Sequence, residues 1–192
     1  MRIIAGEFRG RRLAPVKGRI RPTSDKVREA IFNILGPAVA EAKVLDLFAG
    51  TGALTLEALS RGARSAVLVE EQATALGVLR RNLKALGLTD RVQVLPLPVQ
   101  GALRKLAARG EQFDLIFLDP PYGRGLAGAT LKALVASGLP SPEAWVVAEH
   151  SHREILPEHV GSLKLSQSRR YGDTQVAFYE VRENSQEQEQ RG

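Results

Sequence analysis

The chain reads VLDLFAGTG over residues 44–52, and this stretch predicts the fold. An apolar run at 44–48 leads directly into a turn with two glycines, and helical spacing of apolar residues begins at 53. A glycine-containing turn between a strand and a helix is typical of the first unit of a doubly wound α/β sheet. We therefore predict that this stretch forms a central parallel strand and the turn at its carboxyl end.

The same alternation of strand and helix continues along the chain. The pattern predicts strands at 44–48, 66–70, 92–97, 113–118 and 145–149, and helices at 53–61, 72–86, 99–108 and 126–137. Near-continuous apolar strands such as DLIFL at 114–118 are typical of a parallel sheet that helices cover on both faces. Two β-rich runs, 163–170 and 175–182, flank a Tyr-Gly-Asp-Thr turn and predict an antiparallel hairpin at the sheet edge.

Length and composition set the outer limits. The 192 residues fit one domain, and they include no run long enough to cross a membrane. We expect a cytoplasmic protein with an N-terminal basic β-hairpin arm (1–22, strands 2–5 and 11–14), a main domain (23–182) and a disordered polar tail (183–192). The chain has no cysteine, and its three histidines lack acidic partners at helical spacing, so we predict polar loop histidines and no metal site.

The excess positive charge is concentrated near the N-terminus. Residues 1–28 contain nine Lys or Arg and two acidic residues, whereas the rest of the chain is nearly neutral. Such a segment favours binding to a phosphate backbone, although a solvated charged surface is the simpler alternative. A helix should begin near Thr23-Ser24-Asp25, where free N–H groups could help to hold a phosphate. The candidate RNA-binding residues are Arg9, Arg11, Arg12, Arg21, Lys26 and Arg28.

Two acidic residues accompany the glycine turn. Glu70 follows the second predicted strand and could accept hydrogen bonds from both hydroxyls of a ribose. Asp46 lies beside the turn, where its charge would repel the pyrophosphate of NAD but would suit the ammonium group of S-adenosylmethionine. Thr55 replaces the third glycine of the dinucleotide fingerprint, which also disfavours NAD. We therefore predict S-adenosylmethionine as the cofactor.

The other candidate cofactor residues adjoin the same turn or follow the third strand. The third strand leads into Pro98-Val99, where no side chain can accept a bond from the adenine amine, so apolar contact and the Val99 N–H are expected instead. The full set of cofactor candidates is Asp46, Phe48, Ala49, Gly50, Gly52, Glu70, Pro98 and Val99.

The fourth predicted strand ends in the motif Asp119-Pro120-Pro121-Tyr122. An exocyclic amine of a nucleic-acid base is a poor nucleophile, because its lone pair is delocalised into the ring. A carboxylate (Asp119) and a main-chain carbonyl (Pro120) could each accept one of its N–H bonds, while Pro121 stiffens the loop. Tyr122 offers a flat face on which a flipped-out base can stack. The motif predicts direct methyl transfer to such an amine, in which positioning supplies most of the catalysis.

With these motifs, the chain resembles the RsmD-type methyltransferases, bacterial enzymes that modify the N2 amine of one guanine in 16S rRNA. Most specific are the blocks RIIAG at 2–6, FRGR at 8–11 and RPTSDKVRE at 21–29, joined by the glycine turn with LEALSRG at 56–62 and the motif at 119–122. The resemblance implies a Rossmann-like fold with a seven-stranded sheet, a small N-terminal hairpin that grips RNA, and a small-subunit substrate. The sequence departs from the family at Pro98-Val99, where relatives often have Asp or Asn.

These observations predict a guanine-N2 rRNA methyltransferase that acts, as a monomer, on the small ribosomal subunit. One alternative is a DNA adenine-N6 methyltransferase, since that nucleophile is also an exocyclic amine, although no separate recognition domain fits in this length. Another alternative is a non-catalytic RNA-binding assembly factor with the same fold, which the presence of Asp119 and Glu70 disfavours. A nicotinamide oxidoreductase is the most distant alternative.

Overall fold

The computed structural model describes residues 1–16, 24–122 and 125–182. The helices and strands alternate along most of this length, as the sequence predicts. The helices are α1 (Asp25–Leu35), α2 (Ala53–Ser60), α3 (Ala73–Leu86), α4 (Val99–Ala107) and α5 (Leu126–Ser137). The strands are β1 (Lys43–Asp46), β2 (Ser65–Val69), β3 (Val92–Leu95), β4 (Phe113–Leu118), β5 (Pro140–Ser151), β6 (His159–Val160), β7 (Leu163–Tyr171) and β8 (Thr174–Val181).

All eight strands lie in one sheet, in the order β3-β2-β1-β4-β5-β8-β7-β6. Strands β1 to β5 pair in parallel, and β6 to β8 add an antiparallel extension. The predicted α/β class with a C-terminal antiparallel hairpin is therefore confirmed. The strand number is not seven, because the two-residue strand β6 pairs with the start of β7 and adds an eighth member.

Helices cover both faces of the parallel sheet, and each face has its own apolar core. One core lies under α1, α2 and α3 and includes Phe32, Leu56 and Phe117. The other lies under α4 and α5 and includes Leu103 and Leu131. Burial on both faces explains why the central strands have nearly continuous apolar sequences.

The first helix begins where the sequence predicts it. Ser24 is the N-cap residue, and its side chain accepts a hydrogen bond from the N–H of Val27. This contact satisfies one of the free donors of the first turn. The helix ends at Leu35, and Gly36 follows with a positive φ of 49°.

The N-terminal segment (residues 1–16) differs from the predicted two-stranded hairpin. Its two limbs pair through one antiparallel bridge between Arg2 and Arg12, and the N–H groups of Ile3, Gly10 and Leu13 donate across it to the carbonyls of Arg11, Ile3 and Met1. The carboxylate of Glu57 in α2 accepts the N–H groups of Ile4 and Ala5, so these donors are unavailable to extend the ladder. The pairing is therefore shorter than the predicted strands at 2–5 and 11–14, and the segment is docked on the main domain.

Ile3 and Leu13 show how closely the N-terminal segment joins the domain, since both side chains are buried in the core under α1 to α3. The predicted boundary at residue 22 and the predicted tail at 183–192 lie outside the described residues. Among the described residues, no helix is long and apolar enough to span a membrane.

Candidate active site

Two loops leave neighbouring strands at the same edge of the sheet. The glycine turn (residues 49–52) follows β1, and the acceptor loop (residues 119–122) follows β4. The strands are parallel partners in which Asp46 pairs with Phe117, and the N–H of Leu47 donates to the carbonyl of Phe117 at 3.1 Å. From this strand pair, the chain continues from β1 to β2 on one side and from β4 to β5 on the other side. Open α/β sheets bind their ligands at such a switch point.

A buried carboxylate holds the glycine turn. Glu70 lies directly after β2, is 9% exposed, and accepts the N–H of Gly50 and the N–H of Gln72, each at 2.8 Å. Each carboxylate oxygen takes one of these bonds, so each oxygen keeps a lone pair for a further donor. Glu70 therefore holds the glycine turn through its bond to Gly50, and each of its two carboxylate oxygens can still accept one further hydrogen bond.

Close packing explains the second glycine of the turn. Gly52 has a φ of 83°, and its N–H donates to the carbonyl of Ala49 at 2.7 Å. A Cβ atom on Gly52 would lie 2.6 Å from a methyl carbon of Leu79 in α3. Both the conformation and the contact require glycine at this position.

Asp46 is buried, with 2% of its surface accessible. It accepts the N–H of Phe48 at 3.3 Å and the hydroxyl hydrogen of Thr55 at 3.0 Å. Thr55 is the residue that replaces the third glycine of the dinucleotide fingerprint. The structure thus gives Thr55 a role that the sequence did not reveal: its hydroxyl links the first turn of α2 to the end of β1.

The remaining predicted cofactor residues lie around the same edge. Ala49 is buried, and its N–H donates to Val69 of β2 at 3.0 Å, whereas Phe48 is half-buried. Pro98 is the N-cap of α4 and Val99 is its first residue. The N–H of a first helical residue has no intrahelical acceptor, so the backbone of Val99 can offer a donor where its side chain cannot.

In the acceptor loop, exposure increases from one end to the other. Asp119 is half-buried, Pro120 is buried, and Pro121 and Tyr122 are exposed. The Tyr122 side chain is 42% exposed, although its hydroxyl group is bonded to residues of the sheet. The loop thus places an exposed tyrosine three residues after a half-buried aspartate.

The Tyr122 hydroxyl contacts two side chains that the sequence did not single out. It donates to Glu149 at 2.8 Å and lies 2.8 Å from the hydroxyl of Thr174. Burial raises the pKa of Tyr122, and the nearby Glu149 carboxylate raises it further, so the phenol remains protonated at neutral pH. No local sequence signal could have identified these contacts, because they join residues 27 and 52 positions apart.

Most of the predicted RNA-binding residues form an accessible group. Arg9, Arg11, Arg12 and Lys26 are all exposed. Arg9 and Lys26 line one cleft of about 350 Å³ between the N-terminal segment and α1, together with Arg2 and the acidic Asp25 and Glu29. Arg11 also donates to the carbonyl of Ala85 in α3 at 2.7 Å.

Arg28 and Arg21 complete the set of predicted RNA-binding residues. Arg28 is fully buried, and its guanidinium donates to the carbonyl of Arg2 and to the carboxylate of Asp25. An RNA-contacting role for Arg28 is therefore wrong, since its charge joins α1 to the N-terminal segment. Arg21 lies outside the described residues.

A buried amide connects the N-terminal segment to the glycine turn. Asn82 of α3 donates to the carbonyl of Thr51 at 3.0 Å and to the carbonyl of Ala14 at 3.2 Å. Its side-chain oxygen accepts the N–H of Ala14 at 2.8 Å. One side chain therefore contacts both predicted binding regions, the basic segment and the cofactor turn.

The histidines also depart from the sequence interpretation. His150 is buried at the end of β5 rather than placed in a loop, and one ring nitrogen lies 2.9 Å from the carbonyl of Ser151. Burial lowers the pKa of His150. Within the ranges that the structure describes, no group of three acidic or histidine side chains could hold a metal ion.

The fold is that of the S-adenosylmethionine-dependent methyltransferases. A Thermus thermophilus structure described as the 16S rRNA N2 guanine methyltransferase RsmC, in complex with AdoMet and guanosine, matches with a TM-score of 0.65 and 30% identity. That match covers 86% of this chain and 44% of the other. S-adenosylmethionine is accordingly the cofactor, as the sequence predicted.

The chain belongs to the family described as Conserved hypothetical protein 95, which matches residues 1–180. It is 42% identical over 183 residues to YlbH of Bacillus subtilis, provisionally named an rRNA methyltransferase, with coverage of 95% of this chain and 100% of the relative. It is 36% identical over 181 residues to ribosomal RNA small subunit methyltransferase D of Escherichia coli, with coverage of 94% and 89%. The resemblance to RsmD-type methyltransferases is thereby confirmed.

Proposed function

We propose that this protein transfers a methyl group from S-adenosylmethionine to the N2 amine of one guanine in 16S rRNA, within the assembled or nearly assembled small ribosomal subunit. The observation that supports this most strongly is the origin of the glycine turn and the acceptor loop from the neighbouring strands β1 and β4. Relatives add the substrate class, because the Escherichia coli relative is named for small-subunit rRNA and the RsmC structure contains guanosine.

In this proposal, the described residues fit the cofactor by their chemistry. Glu70 offers two acceptor positions to the ribose hydroxyls, and the glycine turn allows close approach of a ligand to its backbone. Asp46 orients the turn through Phe48 and contributes negative charge near the amino-acid end of the cofactor. Pro98 and Val99 contact the adenine, with the Val99 N–H as a donor. When bound, S-adenosylmethionine supplies an electrophilic methyl group.

The acceptor loop prepares the nucleophile. Asp119 and the carbonyl of Pro120 accept the two N–H bonds of the exocyclic amine, which raises electron density on the nitrogen as it changes geometry. Pro121 restricts the backbone of Pro120, and Tyr122 stacks on the base. Acceptors that are already oriented lower the barrier because they need no reorganisation during the reaction.

The exposed basic residues supply the contact with RNA. Arg9, Arg11, Arg12 and Lys26 lie on or beside the N-terminal segment, which side chains of α2 and α3 hold in place. A preformed basic surface binds phosphates without the loss of entropy that ordering a free arm would require. We propose a monomer acting in the cytoplasm, where its substrate is made.

The substrate is tested by methyl transfer from labelled S-adenosylmethionine to three acceptors: unmodified small subunits, naked 16S rRNA and duplex DNA. We expect the small subunits to accept most label and the DNA none, and Asp119→Ala protein serves as the inactive control. Label on DNA alone would support the adenine-N6 alternative. Binding of S-adenosylmethionine and RNA without transfer to any acceptor would support a non-catalytic assembly factor.

A further inference from the structure

The contacts of the Tyr122 hydroxyl point beyond the motif itself. Glu149 lies near the end of β5, and Thr174 is the first residue of β8. In the antiparallel pairing of these strands, Glu149 is opposite Val176 and Ser151 is opposite Thr174. Glu149 and Thr174 are therefore diagonal neighbours on one face of the sheet, and the Tyr122 hydroxyl bonds to both.

The chemistry of a phenol assigns a direction to each bond. A tyrosine hydroxyl has one hydrogen to donate, and it donates that hydrogen to the Glu149 carboxylate. The Thr174 hydroxyl must then donate to the phenol oxygen, 2.8 Å away. Because a phenol O–H bond prefers to lie in the plane of its ring, a donated bond to a fixed acceptor restricts rotation of the ring, and the second bond helps to fix the position of its oxygen.

Two residues of the acceptor loop are prolines. Pro120 and Pro121 have no N–H group, so they cannot donate backbone hydrogen bonds. Tyr122 is 42% exposed, whereas Glu149 and Thr174 are each 7% exposed. Two buried side chains of the sheet therefore hold the hydroxyl group of an exposed tyrosine.

We propose that Glu149 and Thr174 are positioning residues for methyl transfer, which fix the plane of the Tyr122 ring on which the target base stacks. This inference rests on the proposed function, because it requires that Tyr122 contacts the base. Methyl transfer needs an in-line approach of the nitrogen, and a tilted ring would move the amine away from that line.

The test compares single and double variants by steady-state kinetics on the acceptor that the wild-type protein methylates. Tyr122→Phe keeps the ring but loses the hydroxyl, and we expect kcat to fall about tenfold, as for the loss of one charge-assisted hydrogen bond. Glu149→Leu should cause a similar fall in kcat, with an unchanged dissociation constant for S-adenosylmethionine. Glu149→Gln keeps an acceptor oxygen and should retain most of the activity.

The double variant separates positioning from a general structural role. If Glu149 acts through Tyr122, adding Glu149→Leu to Tyr122→Phe should lower kcat no further. Tyr179→Phe is a matched control, since it also removes a buried hydroxyl bond of 2.8 Å, to the carbonyl of Pro157. Its kcat should match wild type even if its melting temperature falls.

Two kinetic results would contradict the positioning role of Glu149. An unchanged kcat in Glu149→Leu, or a full multiplicative loss in the double variant, would exclude positioning through Tyr122. If Glu149→Leu does not fold, the cycle of Tyr122→Phe with Thr174→Val decides in the same way. Unchanged turnover in Tyr122→Ala would instead contradict the stacking role itself, and with it the proposed function of the loop.

Discussion

The two loops at the carboxyl edge of the sheet are held in different ways. Three buried side chains hold the glycine turn and the end of β1: Glu70, Asn82 and Asp46. The acceptor loop ends in an exposed ring whose hydroxyl bonds to the sheet. Under the proposed function, this difference means that the cofactor side of the site is preformed, whereas the loop that would receive the base is more exposed.

The largest effect should come from the acceptor loop. Asp119→Ala removes a proposed acceptor of the amine hydrogens, and we expect kcat to fall about 100- to 1000-fold. The dissociation constant of S-adenosylmethionine, measured by calorimetry, should change little. Asp119→Asn keeps one acceptor oxygen without the charge and should fall between wild type and Ala. Full activity in Asp119→Ala would refute the role of this side chain.

A substitution that loosens the glycine turn should lower cofactor affinity more than turnover. Glu70→Ala removes a charged acceptor and leaves the N–H of Gly50 without its bond, so cofactor affinity should fall roughly 10- to 100-fold. Turnover at saturating cofactor should be largely retained. Calorimetry and kinetics at high cofactor concentration separate these effects, and Glu70→Gln is the conservative control. Loss of turnover at saturation would place Glu70 in the chemistry and end the contrast between the two loops.

Affinity for RNA should depend mainly on the exposed basic residues of the N-terminal segment. Replacing Arg9, Arg11 and Arg12 by Gln should weaken RNA binding and lower the slope of log K against log salt by about 2 to 3. The matched control replaces Arg104, Lys105 and Arg109, three exposed cations on or just after α4, over the other core. An equal loss in both triple variants would show that total charge matters and that this surface does not.

The smallest effect concerns the contact between the two regions. Asn82→Ala removes hydrogen bonds to both Thr51 and Ala14, and a buried neutral bond contributes about 1 kcal/mol. We expect roughly a fivefold loss of cofactor affinity together with a lower melting temperature. Unchanged cofactor affinity in this variant would show that the glycine turn does not depend on α3.

Much of the fold could be predicted from local patterns. The structure has β4 and α5 at their predicted bounds, 113–118 and 126–137, because a continuous apolar run marks β4, and Gly125 and Gly138 bound α5. β5 is longer than the predicted 145–149, since pairing with both β4 and β8 extends it through polar and proline residues. A two-residue strand such as β6 has no recognisable period.

Only some of the site residues could likewise be predicted from local patterns. The motif residues were predictable because each follows a parallel strand, and parallel strands end at one edge. Thr55, Asn82, Glu149 and Thr174 were missed, because their roles depend on contacts between distant parts of the chain. Arg28 was assigned to RNA on charge alone, although its position on the inner face of α1 buries it.

The central proposal is methylation of a guanine N2 amine, and the identity of the methylated nucleoside tests it most directly. Small subunits labelled by the wild-type protein are digested to nucleosides and compared with standards by mass spectrometry. We predict label in N2-methylguanosine, formed about 100- to 1000-fold more slowly when Asp119→Ala protein is used. Label in N6-methyladenosine or in any other nucleoside would contradict the proposal.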